Sequence, residues 1–202
     1  VRISDDVASA PLDRRGDRRG IAGDFFVIKV AAARAEENAD LNEVTAAAQK
    51  ANDNTRSMGV ALTSCVIPAS GRTIFEISNQ DMEIGMGLHG EPGVQRGALL
   101  PADEVAAEMV RRIMADLAAR SGEEVAVLVN GLGATPLGEL FIIFRAVSQL
   151  ILKAELSVCR SYVGNYATSL DMAGCSITIM RLDSELKRLL LAPAESPAFV
   201  QR

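Results

Sequence analysis

The sequence predicts an α/β protein in which helices pack on a mixed β-sheet. Two observations lead to this fold class. β-Branched apolar runs alternate with amphipathic runs of helical period, and the predicted order in the larger part is β-β-β-α-β-α-β-β-α. The chain has 202 residues, of which 49% are hydrophobic and 23% charged, so it can bury a core and is not a disordered chain.

The first fifty or so residues are predicted to be mostly helical. After a short strand at Arg2–Val7, apolar residues recur at helical spacing over Ile21–Glu37. Asp40 with Glu43 forms a capping-box signature that opens a second helix, which runs to about Asn52. This segment is too small to form a core of its own.

After residue 55 the sequence predicts strands and two long helices. Pro101 introduces the first of these helices, and Thr135 followed by Pro136 is typical of a capped start for the second. Asp183 can cap a short last helix. The predicted strands are Met58–Ile67, Thr73–Ile77, Met82–Met86, Glu124–Val129, Leu156–Val163 and Cys175–Leu182, and the two long helices are Asp103–Ala119 and one from Pro136 to about Ile151.

Charge and cysteine usage exclude several kinds of partner. The net charge of -5 has the wrong sign for binding a phosphate backbone, so nucleic acid is not expected. The longest apolar stretch, Leu140–Leu152, is interrupted by Arg145 and is too short to span a membrane. The cysteines at 65, 159 and 175 form neither a CxxC pair nor a cluster with histidine. The sequence therefore predicts a cytoplasmic protein with free thiols and no bound metal.

The single histidine, His89, lies in the most informative segment, Glu83–Gly93 (EIGMGLHGEPG). Gly85, Gly87 and Gly90 fit a GxGxxG pattern, but no helix follows to receive a dinucleotide pyrophosphate. Flanking glycines let an imidazole project to where a ligand can approach, and at neutral pH such a ring nitrogen can act as nucleophile, base or ligand. From the residues alone, a turn histidine that bonds to the backbone remains the alternative.

Two further loops carry distinctive residues without a complete catalytic set. Asn130–Pro136 (NGLGATP) joins a strand to a helix, and Tyr166–Gly174 (YATSLDMAG) contains hydroxyls and Asp171. Both patterns are more typical of turns than of sites. No GxxxxGK[ST] motif occurs, so a self-contained ATP site of the P-loop kind is absent.

Taken together, these motifs resemble the K subunit of dihydroxyacetone kinase. The resemblance rests on Gly59–Cys65, Met82–Gly93, Val129–Leu137 and Thr168–Gly174, in that order, and it extends over essentially the whole chain, including the Arg19–Gly23 entry to the first helix.

The resemblance implies that His89 holds a short ketose covalently, as a hemiaminal on a ring nitrogen, with Gly87 and Gly90 beside the substrate. Dihydroxyacetone and erythrulose are the expected ligands. It also implies that this chain binds no cofactor, that ATP or ADP with Mg²⁺ sits on a separate L-type subunit, and that the K subunit is a homodimer.

The sequence departs from the family pattern in one respect. The family's GGGSGHEP-like segment, whose histidine acts as base, and a later substrate-binding aspartate are both absent. Residues 1–55 are therefore interpreted as the end of an N-terminal substrate domain, and residues 56–202 as a second, two-layer α/β domain that carries His89. The missing half is expected from a longer parent chain or a partner. The alternatives are a non-catalytic ketose-binding or regulatory paralogue and a truncated remnant.

Overall fold

A computed structural model describes all residues from Val1 to Arg202. A short 3₁₀ turn at Leu12–Asp17 precedes five α-helices and ten strands. The helices are α1 (Asp24–Glu36), α2 (Leu41–Asp53), α3 (Ala102–Leu117), α4 (Leu137–Lys153) and α5 (Ser184–Leu191). The strands are β1 (Thr55–Ala61), β2 (Val66–Ile67), β3 (Arg72–Thr73), β4 (Asp81–Ile84), β5 (Gln95–Ala98), β6 (Glu124–Gly131), β7 (Ser157–Gly164), β8 (Gly174–Leu182), β9 (Ala194–Ser196) and β10 (Phe199–Gln201).

Six strands form one mixed sheet in the order β5-β4-β1-β8-β6-β7. Only β6 and β7 are parallel, and α4 makes the crossover between them. The central pairing joins β1 and β8 from Thr55 opposite Met180 to Ala61 opposite Gly174. The mixed sheet with packed helices is therefore confirmed.

Helices cover both faces of this sheet because its central strands are apolar on both sides. In β6, Val125, Val127 and Val129 face the core under α3 and α4, whereas Ala126 and Leu128 face α1, α2 and α5. The sequence predicted two layers, and the structure adds a third. The apolar faces of the first two helices are thus buried against the sheet. A domain boundary near residue 55 stays a prediction.

Several local predictions differ from the structure. Arg2–Val7 is not a strand: Asp6 makes only an isolated parallel bridge to Ser57 of β1, and the pairing does not extend into the charged segment, which forms the 3₁₀ turn at Leu12–Asp17. The run Met58–Ile67 breaks after Ala61, where the Leu62 and Thr63 N–H groups both donate to the Ala173 carbonyl. The strand expected at Thr73–Ile77 shrinks to Arg72–Thr73.

The helix starts were predicted with mixed success. Asp40 and Glu43 form the complete capping box at α2, as predicted, and Asp183 caps α5. At α4, however, the N-cap position is Pro136, and the Thr135 hydroxyl instead bonds to the backbone of Gly174. None of the five α-helices combines the length and the apolar character of a membrane span.

Candidate functional site

The four segments that carry the family resemblance meet where β1, β4 and β6 end and β8 begins. The Gly85 N–H donates to the Gly59 carbonyl at 2.7 Å, and the Ala134 N–H donates to the Met172 carbonyl at 3.1 Å. A small apolar cluster lies beneath them, formed by Ala61, Cys65, Met86, Leu132 and Met172. Backbone hydrogen bonds and this cluster therefore join the separate motifs into one surface.

His89 lies at the tip of the turn that follows β4. Gly85 and Gly90 bracket the turn with φ values of +87° and +81°, which glycine adopts without the cost that other residues incur. The His89 side chain is 84% exposed. The ring is therefore accessible, and it does not belong to the hydrophobic interior.

Glu91 fixes the orientation of the His89 ring. One carboxylate oxygen, Oε2, accepts the His89 backbone N–H at 2.9 Å, and the other, Oε1, lies 3.2 Å from the ring Nδ1. Since a carboxylate only accepts, this contact favours the neutral tautomer with the proton on Nδ1. In that tautomer the lone pair lies on Nε2, the ring nitrogen that does not contact Glu91.

The charge on Glu91 is stabilised where it sits. Partial burial raises the pKa of Glu91, but hydrogen bonds from its own N–H, from the His89 N–H and from the His89 ring outweigh that effect, so the pKa lies below its usual value. Glu91 therefore stays an acceptor for the imidazole through the physiological pH range. The sequence motif did not reveal this role of Glu91, although its spacing of two residues from His89 was an available signal.

Gly87 and Gly90 leave room for the groups around the histidine. A Cβ at Gly87 would collide with the Glu91 carboxylate, and it would lie 3.2 Å from Nη1 of Arg19. A Cβ at Gly90 would collide with Ile74 and come within 3.0 Å of Phe75. These contacts explain why glycine stands at both positions, while direct contact of either residue with a substrate stays a prediction.

The other two loops are held by their own polar side chains. Asn130 accepts the N–H groups of Tyr166 and Ala167 and donates to the Ala167 carbonyl. Asp171 accepts the Val66 N–H at 2.7 Å, and this bond holds the pKa of Asp171 below its usual value. These bonds join segments that are distant in the sequence, so Asn130 and Asp171 hold separate loops together; the interpretation of the loop residues as turn-forming stays a prediction.

His89 does not line any of the five main cavities. The largest of them, about 660 Å³, lies between α1 and the β9–β10 hairpin. No group of three or more His, Cys, Asp or Glu side chains is arranged to hold a metal ion. The His89 ring is therefore presented on a projecting turn, outside the five main cavities.

Known proteins resemble this chain along nearly its full length. The Dak1 domain model matches residues 1–198. A relative from Listeria innocua, "PTS-dependent dihydroxyacetone kinase 2, dihydroxyacetone-binding subunit DhaK", is 46% identical over 199 residues, which are 98% of this chain and 60% of the relative. The L-erythrulose kinase of Pectobacterium atrosepticum is 41% identical over 203 residues, 98% of this chain and 34% of the relative.

Solved structures show the same fold. The dihydroxyacetone kinase operon co-activator Dha-DhaQ superposes with a TM-score of 0.91 at 28% identity, covering all of this chain and 62% of its own. The dihydroxyacetone kinase from C. freundii, solved with AMP-PNP and Mg²⁺, superposes with a TM-score of 0.85 at 31% identity, covering all of this chain and 36% of its own. The chain thus spans about 60% or less of the two curated relatives described. With its match to the family model from the first residue to residue 198, the chain belongs to the Dak1 domain family.

Proposed function

We propose that this chain is the substrate-anchoring part of a ketose kinase and that Nε2 of His89 captures the carbonyl carbon of a short ketose. The observation that carries this proposal is the exposed imidazole whose Nδ1 lies 3.2 Å from Glu91 Oε1, which leaves Nε2 as the unprotonated nitrogen. Relatives named for dihydroxyacetone and for erythrulose support a three- or four-carbon ketose as the ligand.

The addition is chemically balanced with the groups present. The Nε2 lone pair forms a bond to the carbonyl carbon, and the C=O π pair moves to the oxygen, which takes up a proton. The ring then carries a positive charge, and it returns to neutral by releasing the Nδ1 proton to Glu91 or to solvent. The product is a hemiaminal that contains the whole ketose, with no water lost. Glycerol has no electrophilic carbon and is not captured.

Phosphoryl transfer needs more than this chain supplies. The proposal places the phosphoryl donor, ATP or ADP with Mg²⁺, on a separate L-type subunit, because the chain has no P-loop. A base that deprotonates the substrate hydroxyl typically contributes ~10²–10⁴-fold, and His89 cannot serve as both anchor and base. We therefore propose that the base and the walls around His89 come from a longer parent chain or a partner, within a cytoplasmic homodimer.

Carbon-13 NMR with dihydroxyacetone labelled at the carbonyl carbon tests the capture. We expect a protein-bound tetrahedral carbon signal with the wild-type chain and none with His89→Gln, which keeps a polar side chain of similar reach. Glycerol serves as the ligand control, since it should not compete. A tetrahedral adduct that persists in His89→Gln would refute the assignment of His89.

A regulatory ketose sensor is the second candidate function. It is favoured by the superposition on an operon co-activator with a TM-score of 0.91, compared with 0.85 for the dihydroxyacetone kinase from C. freundii. Kinase assays with an added L-type subunit separate the two candidates. Turnover that needs His89 supports the kinase part, and turnover with this chain and a donor subunit alone would refute the inference that a base is missing. Capture without turnover, even when a longer relative supplies the N-terminal half, supports the sensor.

A further inference from the structure

We infer that Arg19 is a positioning residue for His89, acting as a clasp that holds the two ends of the His89 turn together. This inference rests on the proposed function of His89 as ketose anchor. Arg19 lies 70 positions before His89 in the sequence, in a loop whose sequence indicates only the entry to the first helix. The turn in question is Gly85–Pro92.

The guanidinium of Arg19 bridges the start and the end of this turn. Its Nη2 donates to the Gly85 carbonyl at 2.9 Å, and its Nη1 donates to the Pro92 carbonyl at 3.3 Å. Within the turn, the Gly87 N–H donates to the Glu91 carbonyl at 3.1 Å. The Gly90 N–H donates to the Gly87 carbonyl at 3.2 Å, so these bonds shape the tip of the turn, while Arg19 joins its two ends from outside.

A buried carboxylate fixes the guanidinium in this place. Asp6 has a side chain with no exposed surface, and its Oδ2 accepts a hydrogen bond from Arg19 Nε at 2.9 Å and lies 2.7 Å from Nη2 in an ion pair. Asp6 is itself held, because its Oδ1 accepts the Ala8 N–H and its backbone is bridged to Ser57 of β1. The clasp thus connects the sheet, through Asp6 and Arg19, to both ends of the His89 turn.

The contacts demand arginine rather than any cation. The planar guanidinium donates to the Asp6 carboxylate and to the carbonyl oxygens of Gly85 and Pro92. The ammonium group of lysine has its donors on one nitrogen and cannot reach all three acceptors in this geometry. Arg19 and the Glu91 carboxylate that orients His89 also lie on the same side of Gly87, the side on which a side chain would project. Loss of the clasp should therefore disturb the Glu91–His89 pair before it affects the core.

The single histidine makes this inference directly measurable. In a protein labelled with ¹⁵N-histidine, the two ring nitrogens of His89 report the tautomer without overlap. We expect the Nδ1–H form to dominate in the wild type. Arg19→Met should shift both ring signals toward the values of a free imidazole and weaken dihydroxyacetone capture by about 10- to 100-fold, the effect of small misplacements of reacting groups. Arg19→Lys should fall between the two.

Arg111→Met is the matched control, because Arg111 is an exposed arginine whose only ionic partner is a neighbour on α3. It should leave the ring signals and the capture unchanged. If Arg19→Met does not fold, Asp6→Asn removes the anchor of the guanidinium and is judged by the same ring signals. Wild-type ring signals in a folded Arg19→Met or Asp6→Asn protein would overturn the clasp. Ring shifts in these variants without ketose capture by the wild type would instead refute the proposed function and leave the clasp intact.

Discussion

The charged cluster around Asp116 allows a sharp test of how burial changes the value of an ion pair. Asp116 on α3 receives Arg18, from the N-terminal loop, at 2.9 and 2.6 Å, and it also pairs with Arg56 of β1. The side chains are almost covered, with exposures of 13% for Asp116, 1% for Arg18 and 6% for Arg56. One buried carboxylate thus balances the charge of two buried guanidinium groups, and the three residues come from three separate segments of the chain.

Asp116→Asn should lower the free energy of unfolding by about 3–5 kcal/mol, the range for removing one partner of a buried pair. The cost arises because Arg18 and Arg56 remain charged and face each other without compensation. Such a loss is a large part of the ~5–15 kcal/mol that stabilises a typical domain. The two arginines lower the pKa of Asp116 against the opposing effect of burial, so its contribution is present above the ordinary carboxyl pKa and is lost as the pH falls through the lowered value.

Glu108 provides the control on the same helix. It too is a single carboxylate between two arginines, Arg111 and Arg112, but Arg111 is 64% exposed. Urea unfolding followed by circular dichroism should therefore show Glu108→Gln close to the wild type and Asp116→Asn far below it. Equal, small losses in both variants would refute the reasoning that burial, rather than the count of ion pairs, sets the cost.

Three further predictions follow from single side chains. Burial raises the pKa of Asp6 to about 6 from an ordinary value of 3.8, so the folded state binds this proton more tightly and stability is lost as the pH rises between these values. Relative to Asp6→Asn, the wild type should lose about 2 kcal/mol from pH 4 to pH 7, measured by urea unfolding at each pH, and a pH-independent difference contradicts the shift. Gly87→Ala should displace Glu91 and lower ketose capture while the melting temperature changes little; unchanged capture in the carbon-13 assay would show that the collision is relieved elsewhere. Burial raises the pKa of the Cys175 thiol to about 12, so a thiol reagent at pH 8 should label the half-buried Cys159 and leave Cys175 unlabelled until the protein unfolds, as peptide mass mapping would show.

The main helices and the central strands were predictable because their signals are local. The stripe of α3, the capping box of α2 and the apolar run of β6 each occupy one continuous stretch of sequence. β5 was not predicted, because Gln95–Ala98 carries no apolar alternation and is fully exposed. It forms by pairing with β4 at the sheet edge, which is a non-local event.

The site was predictable to a similar degree. Glycines around a lone histidine indicated an exposed imidazole, and the structure places it on an exposed turn. The roles of Glu91 and Arg19 were not predicted. Glu91 needs the turn to fold back on itself before its carboxylate reaches the ring, and Arg19 reaches the turn only because Asp6 is bridged to β1. Tertiary contacts of this kind leave no periodic trace in the sequence.

Because helices occupy both faces of the sheet, further strands can pair with it only at its two rims, the outer sides of the edge strands β5 and β7. Neither rim is needed to seal either core. This geometry suits a unit that recurs within polypeptides of very different length, from those of which it forms 60% to those of which it forms 34%. Evolution can vary what is attached at the rims while the interior packing stays untouched.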